Sequence, residues 1–238
     1  MANPYFRFKQ FTVRQEHCAM KVTTDACLFG AWISSKLQNQ FPDTVLDIGA
    51  GTGLLSLMLA QKCTAYIDAI EIDTGTAAQA IENVNSSPWA GRISVIQGDA
   101  REYTFSRKYQ SIISNPPFYE NELAAAEMKK NIAQHSTALT LVGLLQIIRN
   151  NLAPGGSFFL LYPYKRAVQV QQALRQQSLY LYEKVLVRQS VRHDFFRVMI
   201  QGGCREQTTT EHEIAIWDEE QQYTTVFTDL LKDYYLYL

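Results

Sequence analysis

Cysteine is scarce in this sequence, and the four cysteines lie far apart. They form no CxxC pair and no cluster with histidine: Cys18, Cys27, Cys63 and Cys204. This spacing argues against a disulfide framework and against a cysteine-ligated zinc site, so we predict no metal. No apolar run reaches the roughly 20 residues of a membrane-spanning helix, and the first residues lack the apolar core of a signal peptide. We therefore expect a cytoplasmic protein that does not contact the membrane, and separately we expect a monomer.

A large net charge is also absent, since 22 Lys and Arg oppose 23 Asp and Glu among 238 residues. The charges are nevertheless segregated along the chain. Residues 162–205 carry eight basic side chains against two acidic ones, whereas residues 206–238 carry eight acidic side chains against Lys232 alone. Basic segments of this kind fit either a polyanion-binding surface or ordinary solvated charge, and the sequence leaves both interpretations open.

Short apolar or β-branched runs alternate with helical patterns from residue 44 to residue 163. This alternation is typical of an α/β fold with a mostly parallel sheet. The predicted strands of this part are 44–48, 66–72, 93–97, 110–114 and 157–162, and the predicted helices are 53–62, 76–85 and 140–152. The flanking predictions are a helix at 26–37, a helix at 165–177, a hairpin of strands 179–188 and 195–201, a short strand at 214–217 and a helix at 226–236.

A glycine-rich loop follows the first of these strands, in the order Asp47-Ile48-Gly49-Ala50-Gly51-Thr52-Gly53. Glycine lets the backbone turn tightly and approach a ligand without obstruction by a Cβ atom. The final glycine of a G-x-G-x-x-G pattern is missing, which argues against the dinucleotide fingerprint. No Gly-Lys pair occurs in the chain, which argues against a phosphate-binding P-loop. The loop therefore predicts a ligand that is not held by a polyphosphate.

Acidic side chains stand at the ends of the next two strands. Glu71 follows the loop by about twenty residues, where a carboxylate can accept hydrogen bonds from two ribose hydroxyls. Asp99, followed by Ala100, comes directly after the third strand and is placed to accept a hydrogen bond from an adenine amino group. The loop and the two acids together describe a nucleoside ligand without a polyphosphate. S-adenosylmethionine satisfies that description.

The fourth strand ends in Asn115-Pro116-Pro117-Phe118. This segment could be a simple strand-ending turn, but its place after three cofactor signals favours a functional interpretation. An exocyclic amine is a weak nucleophile because its lone pair is delocalised. The Asn115 side-chain oxygen and the Pro116 carbonyl could accept both N–H bonds and expose that lone pair, because proline restricts the backbone that aims the carbonyl. Phe118 could stack on a planar base.

The loop pattern D-x-G-x-G-x-G with its acids resembles the class I methyltransferases, and Asn115-Pro116-Pro117-Phe118 resembles the catalytic motif of amino methyltransferases. The resemblance implies a Rossmann-like, mostly parallel seven-stranded sheet with a terminal antiparallel hairpin, and S-adenosylmethionine as the cofactor. It also implies a catalytic role for all four residues of the second motif. The implied cofactor-binding residues of the core are Asp47, Gly49, Ala50, Gly51, Gly53, Glu71, Asp99 and Ala100.

The amino-terminal sequences FRFKQF (6–11) and MKVTTDACLFGAW (20–32) are similar to the family that methylates an adenine of valine tRNA. That resemblance implies a single domain over 1–238, with a cofactor lid at 1–40, a cofactor and catalytic core at 41–163, and a carboxyl-terminal part at 164–238. It places Thr23 and Asp25 near the methionine end of the cofactor. Candidate RNA contacts are Arg7, Lys9, Arg188, Arg192 and Arg197. The alternative is that these charges only solubilise the surface.

The aromatic residues of the same amino-terminal stretch allow two interpretations. Phe6, Phe8 and Phe11 alternate with basic residues, as in an arm that stacks on bases and contacts phosphates. They fit an edge strand buried on the core equally well. Sequence alone does not decide between these two.

The function predicted from these features is methyl transfer from S-adenosylmethionine to the exocyclic N6 amine of a tRNA adenine. A protein glutamine-amide methyltransferase and a ribosomal RNA guanine-N2 methyltransferase are alternatives with similar chemistry. A non-catalytic RNA-binding protein on the same fold is an alternative of another class. Such a protein would not need the amine acceptors Asn115 and Pro116.

Overall fold

The computed structural model describes residues 3–18, 20–40, 42–116 and 139–238. The predicted α/β class with a mostly parallel sheet is confirmed. The strands β1 (Tyr5–Arg7) and β2 (Thr12–Arg14) form a small antiparallel hairpin. The central sheet contains β3 (Thr44–Ile48), β4 (Tyr66–Glu71), β5 (Ile93–Gln97), β6 (Tyr109–Ser114), β7 (Leu152–Pro163), β8 (Tyr180–Ser190), β9 (Phe195–Gly203) and β10 (Thr210–Trp217).

Six α-helices occur in the described ranges. They are α1 (Thr24–Leu37), α2 (Leu54–Ala60), α3 (Thr74–Asn85), α4 (Leu141–Asn151), α5 (Ala167–Gln176) and α6 (Thr225–Leu231), and a short 3-10 helix spans Tyr164–Arg166. All six begin within two residues of the predicted positions. In those same ranges, no helix has both the length and the apolar character needed to cross a bilayer.

The order of the strands brings the predicted site to one edge of the sheet. The order is β10-β8-β9-β7-β6-β3-β4-β5, and β9 runs antiparallel to its neighbours β7 and β8. The order reverses at β3, which pairs in parallel with β4 on one side and with β6 on the other. Ligands of such sheets bind at the carboxyl ends of the strands beside a reversal of this kind. The loop after β3 and the segments after β4, β5 and β6 meet at that edge.

Within the described residues, the central sheet has eight strands rather than the predicted seven. The additional strand is β10, which pairs in parallel with β8 from Thr210 opposite Glu183 to Trp217 opposite Ser190. The sequence pattern predicts a strand only at 214–217, because the first half of β10 is exposed and polar and therefore lacks an apolar signal. Backbone pairing with β8 extends the strand through that polar half.

Pairing of β10 with β8 also joins the acidic and basic segments of the chain. Lys184 on β8 forms an ion pair with Glu211 on β10, and Arg188 lies 3.2 Å from Glu213. The charge segregation seen along the sequence is thus partly neutralised in space. The basic segment 162–205 is consequently less cationic at its surface than its composition suggests.

Two clusters of buried apolar residues lie on the two faces of the sheet. One contains residues of α1, α2 and α6, such as Leu57 and Phe227, and the other contains residues of α4 and α5, such as Leu145. The neighbours Ile112 and Ile113 on β6 enter different clusters, as the alternation of side chains along a strand requires. Burial on both faces makes the strands nearly continuous apolar runs.

The amino-terminal aromatics belong to the core, so the interpretation of this stretch as a base-stacking arm is wrong for Phe8 and Phe11. Phe8 is 1% exposed and Phe11 is 5% exposed, and their rings stack at 4.4 Å between centroids. Phe6 is half-buried and packs 4.7 Å from Phe8. Trp89 meets the Phe11 ring edge-on. Burying these rings removes more apolar surface from water than exposed stacking would, which explains the outcome.

Candidate active site

The glycine loop after β3 holds three glycines in the left-handed region, with φ of +73° at Gly49, +56° at Gly51 and +79° at Gly53. A Cβ atom added at Gly49 or Gly51 would meet nothing within 4 Å, so both positions border open space. Gly53 instead faces Ala80 and Val84 of α3 at ordinary contact distance. Gly49 and Gly51 therefore border space in which a ligand can approach the backbone, whereas Gly53 serves the turn into α2 and its packing.

The N–H groups of this loop are directed at β4 and its end. The amides of Gly49 and Ala50 donate to the Ile70 carbonyl at 2.9 and 3.1 Å, and the Gly51 amide donates to Glu71 Oε2 at 2.9 Å. A phosphate-cradling loop keeps such N–H groups for the ligand. The observed bonds agree with the sequence-based conclusion that this loop is not built for a polyphosphate.

Glu71 links the glycine loop to the segment after β4. Its Oε2 accepts from Gly51, and its Oε1 accepts from the backbone N–H of Asp73 at 3.0 Å. A carboxylate has about four lone-pair positions, so both oxygens retain acceptor capacity. The two backbone bonds fix the carboxylate beside the open space at Gly49 and Gly51. Asp73 itself caps α3 by accepting from the Thr76 amide at 2.8 Å.

Asp47 is fully buried beneath the loop and has no contact with open space. Its Oδ2 accepts from the Ser56 hydroxyl at 2.7 Å, and its Oδ1 has no hydrogen-bond partner among the described residues. Burial raises the pKa of Asp47 to about 7, although the bond from Ser56 opposes that shift. The burial of Asp47 argues against its predicted role as a direct cofactor contact. Its hydrogen bond with Ser56 instead joins the end of β3 to α2 beneath the loop.

The raised pKa of Asp47 predicts a pH-dependent effect of Asp47→Asn on stability. Because the folded pKa of about 7 exceeds the ordinary 3.8, the stabilising contribution of this group is complete below pH 3.8 and is lost as the pH rises to about 7. Asparagine has no titratable group, so residue 47 of the Asp47→Asn variant contributes no change in unfolding free energy over that pH window. The unfolding free energy of Asp47→Asn minus that of the wild type should rise by about 1.4 kcal/mol per pH unit inside the window and level above it.

Urea unfolding at a series of pH values between about 5 and 8 measures this difference. A difference that stays flat would mean that Asp47 titrates normally.

Asp99 lies after β5 as predicted, but an arginine already occupies its carboxylate. The Arg101 Nε is 2.9 Å from both carboxylate oxygens, and the Arg101 backbone N–H donates to Oδ1 at 2.9 Å. The hydrogen bond from Arg101 holds the pKa of Asp99 below its usual range. An adenine amino group would therefore share this carboxylate with Arg101. The sequence contained Arg101 two residues away, but the pattern gave no reason to expect the pair.

Asn115 and Pro116 line a cavity of about 620 Å³ at the carboxyl edge of the sheet. The preceding Ser114 is buried and donates from Oγ to the Ile48 carbonyl at 2.7 Å, which ties the end of β6 to the end of β3. Asn115 thus follows β6 directly beside the strand that leads into the glycine loop. The remaining lining residues come from the amino-terminal segment and from the ends of β7 and β9: Met20, Thr23, Asp25, Leu161, Tyr162, Pro163, Tyr164, Lys165, Phe195, Phe196 and Arg197.

Asp25 and Arg197, predicted for different ligands, form an ion pair in the wall of this cavity. Arg197 Nε lies 2.7 Å from Asp25 Oδ2, which joins α1 to β9. Thr23 lines the same cavity and caps α1 with extended backbone. The pair places the beginning of α1 in the same cavity wall as Asn115. It also means that neither charge faces the cavity uncompensated.

Family and sequence comparisons identify relatives of this chain. Residues 30–178 match the model of the methyltransferase small domain family. The tRNA1(Val) (adenine(37)-N6)-methyltransferase of Parabacteroides distasonis is 39% identical over 99% of both chains. That of Pectobacterium carotovorum is 37% identical over 98% of this chain and 94% of its own. This chain belongs to the tRNA1(Val) (adenine(37)-N6)-methyltransferase family.

Solved structures share the fold of this family member at low sequence identity. A predicted O-methyltransferase from Agrobacterium tumefaciens superimposes with a TM-score of 0.67 at 14% identity, covering 87% of this chain and 95% of its own. The glycopeptide N-methyltransferase MtfA, complexed with S-adenosylmethionine, gives a TM-score of 0.58 at 15% identity, covering 81% and 100%. These neighbours establish the class I methyltransferase fold.

Four of the five predicted RNA contacts of this tRNA1(Val) (adenine(37)-N6)-methyltransferase family member fall into two separate groups, and the fifth is Arg197 in the cavity wall. Arg188 and Arg192 lie at the end of β8 and in the turn before β9, at the same edge of the sheet as Asn115. Arg192 is 71% exposed, and its guanidinium lies 4.0 Å from Glu219. Arg7 and Lys9 are exposed near the carboxyl terminus, where Lys9 Nζ donates to the Lys232 carbonyl at 2.5 Å. Among the described residues, no contact joins Arg188 and Arg192 to Arg7 and Lys9.

Several site-forming residues of this family member were not predicted. The clearest is Asn83 on α3, which is buried and donates to the Thr52 carbonyl of the loop and to the Arg14 carbonyl of β2, both at 2.9 Å. Its Oδ1 also accepts from the Arg14 amide at 2.8 Å. The only signal in the sequence was a pair of amide residues four positions apart in the predicted helix, Gln79 and Asn83, both of which the structure buries. The predicted Pro117 and Phe118 lie outside the described residues.

Proposed function

We propose that this chain transfers a methyl group from S-adenosylmethionine to N6 of adenine 37 in tRNA1(Val), the reaction in the names of its full-length relatives. The observation that carries the proposal from the structure is the position of Asn115 and Pro116. Both line one cavity at the carboxyl edge of the sheet, beside the strand that enters the glycine loop. An amine bound there lies next to the site proposed for the cofactor.

The residues at this edge fit S-adenosylmethionine. Gly49 and Gly51 border open space, and Glu71 is fixed beside them with acceptor capacity left for ribose hydroxyls. Asp99 and Ala100 follow the next strand and are proposed to contact the adenine ring of the cofactor. When bound, S-adenosylmethionine supplies a sulfonium methyl group, whose bond to sulfur breaks as the bond to N6 forms and one N6 proton is released.

Asn115 and Pro116 orient the target amine in this proposal. The Asn115 side-chain oxygen and the Pro116 carbonyl each accept one N6–H bond, which favours a more tetrahedral nitrogen with an exposed lone pair. Positioning carries most of the rate, because displacement at the methyl carbon requires an in-line approach. Pro117 would stiffen this segment, and Phe118 would stack on the base. No strongly basic side chain is needed as a general base, because the nitrogen loses its proton after it has become cationic.

We propose that residues 1–40 form a cofactor lid on a single domain. Asn83 holds β2 to the glycine loop, and Asp25 joins α1 to β9 through Arg197. In addition, the Gln15 side-chain oxygen accepts from the Val22 amide at 2.7 Å, which fixes the segment before α1. These bonds support a lid that packs closely on the core. Thr23 and Asp25 would then lie at the methionine end of the cofactor.

The proposed activity is tested by supplying labelled S-adenosylmethionine to the purified protein with tRNA from cells that lack it. Label should appear in RNA, and nucleoside analysis should identify N6-methyladenosine at position 37 of tRNA1(Val). Label in added cell protein would favour glutamine methylation, and labelled guanosine would favour the ribosomal RNA alternative. Binding of RNA without any transfer of label would favour a non-catalytic protein.

Arg192 provides a test of the proposed RNA-binding edge. It is exposed and its pair with Glu219 is long, so Arg192→Ala should leave folding unchanged and remove one phosphate contact. We expect tRNA affinity to fall severalfold and the slope of log affinity against log salt to decrease by about 1. Filter binding at several salt concentrations measures both quantities.

Arg107 is a matched control for Arg192. It is half-exposed and lies 3.8 Å from Asp68, also in a weak ion pair, but it precedes β6 at the opposite edge of the sheet. Arg107→Ala should therefore leave both the affinity and the salt slope unchanged. Equal effects of the two substitutions would contradict a specific RNA-binding edge.

A further inference from the structure

The cavity beside Asn115 has exposed apolar side chains at its rim. Tyr164 is 42% exposed and Met20 is 50% exposed, and both line the cavity from different parts of the chain. Exposed apolar groups at the rim of a concave site are a common feature of ligand-binding sites. The volume of about 620 Å³ lies within the range of sites that take small molecules or single nucleotides.

Tyr164 is supported from behind by a second aromatic ring. Its ring centroid lies 5.5 Å from that of Phe195, with a tilt of 49° between the planes. The register of β7 and β9 places Pro163 opposite Arg197, so the residues that follow β7 and those that begin β9 lie side by side. Phe195 is half-buried and packs against the core. Tyr164 therefore has a braced ring at an open rim.

A cation continues this arrangement away from the cavity. The Arg188 guanidinium lies 5.5 Å from the centroid of the Phe195 ring. The three side chains Arg188, Phe195 and Tyr164 thus form a strip that leads from the end of β8 to the cavity. Aromatic rings that stack on bases, beside a basic side chain, are typical of sites for single-stranded nucleic acid, although Arg188 is also paired with Glu213 here.

We infer that Tyr164 stacks on the target adenine when its N6 amine is bound by Asn115 and Pro116. The inference rests on the proposed function and adds a base-stacking residue to it. Tyr164 lines the same cavity as the two amine acceptors, and its exposure leaves ring surface for a base. Phe195 holds the ring in place. A flat base in the cavity would cover the apolar surface that is otherwise in contact with water.

The experiment compares Tyr164→Ala and Tyr164→Phe with Tyr66→Ala. Tyr66 is also an exposed tyrosine, at 62%, but it begins β4 at the opposite edge of the sheet. Steady-state methylation of unmodified tRNA1(Val) gives KM and kcat. In a second measurement, 2-aminopurine replaces the target adenine. It lacks the 6-amino group, so its fluorescence in the complex reports stacking on an aromatic ring independently of amine binding.

Loss of stacking in Tyr164→Ala should raise KM for tRNA by about 5- to 100-fold, with kcat within about threefold of wild type. Bound 2-aminopurine should be at least about twofold brighter in that variant, because one of the two rings proposed to stack on the base is gone. Tyr164→Phe and Tyr66→Ala should match the wild type in both measurements.

Three results would overturn the inference. They are an unchanged KM in Tyr164→Ala, unchanged 2-aminopurine fluorescence, and a Tyr164→Phe variant as impaired as Tyr164→Ala, which would assign the effect to the hydroxyl. A failure of the proposed function is distinguishable, because the wild type would then not methylate the tRNA at all, and the inference would fall with it. Normal methylation by wild type combined with any of the three results overturns only the role of Tyr164.

Discussion

Replacing Asn115 by alanine is expected to reduce methyl transfer by at least about 10²-fold while S-adenosylmethionine binds as tightly as to the wild type. The Asn115 oxygen is proposed to accept one of the two N6–H bonds, so its loss removes an interaction that strengthens as the nitrogen becomes cationic. Removing one preorganised hydrogen-bonding group that faces developing charge lowers kcat by about 10²- to 10³-fold in comparable sites. Cofactor contacts are assigned to other strand ends and remain intact.

Single-turnover methylation of tRNA1(Val) and calorimetric titration with S-adenosylmethionine measure the two quantities separately. Asn150→Ala is a suitable control, because Asn150 is exposed in the last turn of α4, just before β7 begins at the amino edge of the sheet. That variant should transfer methyl groups at the normal rate. If Asn115→Ala weakened cofactor binding in proportion to its rate, Asn115 would be a cofactor residue and the assignment to amine binding would be wrong.

The parts of the site that follow parallel strands could be predicted from the sequence. Parallel strands bring their carboxyl ends to one edge, so Gly49, Glu71, Asp99 and Asn115 had to lie there once the strands were identified. The roles proposed for them rest on residue type and order along the chain. This part of the prediction needed no knowledge of side-chain packing.

The parts that depend on contacts between distant segments could not be predicted in the same way. The pair of Asp25 with Arg197 joins residues 172 positions apart, and neither residue signals its partner. The polar half of β10 is a strand because β8 lies beside it, not because of its own pattern. Tyr164 acquires its place at the cavity only through the antiparallel register of β7 and β9. Tertiary contacts override local pattern in each of these cases.

Buried groups were also beyond the reach of the sequence pattern. Asp47 belongs to the recognised glycine loop motif, yet its side chain is enclosed and bonded to Ser56. Phe8 and Phe11 resembled a nucleic-acid contact as closely as they resembled core residues. Burial is decided by the summed packing of several elements, so only the folded structure separates the two possibilities.

Replacing Glu71 by alanine should produce the opposite separation from Asn115→Ala, with lost cofactor affinity and a preserved rate at saturation. Glu71 accepts from Gly51 and Asp73, and we propose that its remaining lone pairs accept from the two ribose hydroxyls. Hydrogen bonds to a charged group contribute about 1.5–3 kcal/mol each. Loss of two should therefore raise the dissociation constant for S-adenosylmethionine by about 10²-fold or more.

Two further variants make this test specific. Glu71→Gln keeps the size of the side chain but turns an amide N–H₂ toward the backbone N–H of Gly51 or of Asp73, so it should bind almost as weakly as Glu71→Ala. Glu82→Ala is the control, because Glu82 is an exposed carboxylate on α3 that accepts from Gln79. Calorimetry with S-adenosylmethionine and rates at saturating cofactor give the two readouts. An affinity within about threefold of wild type in Glu71→Ala would exclude the proposed ribose contact. The cofactor site would then have to be assigned away from the glycine loop, because the carboxylate that faces this loop would hold no ligand.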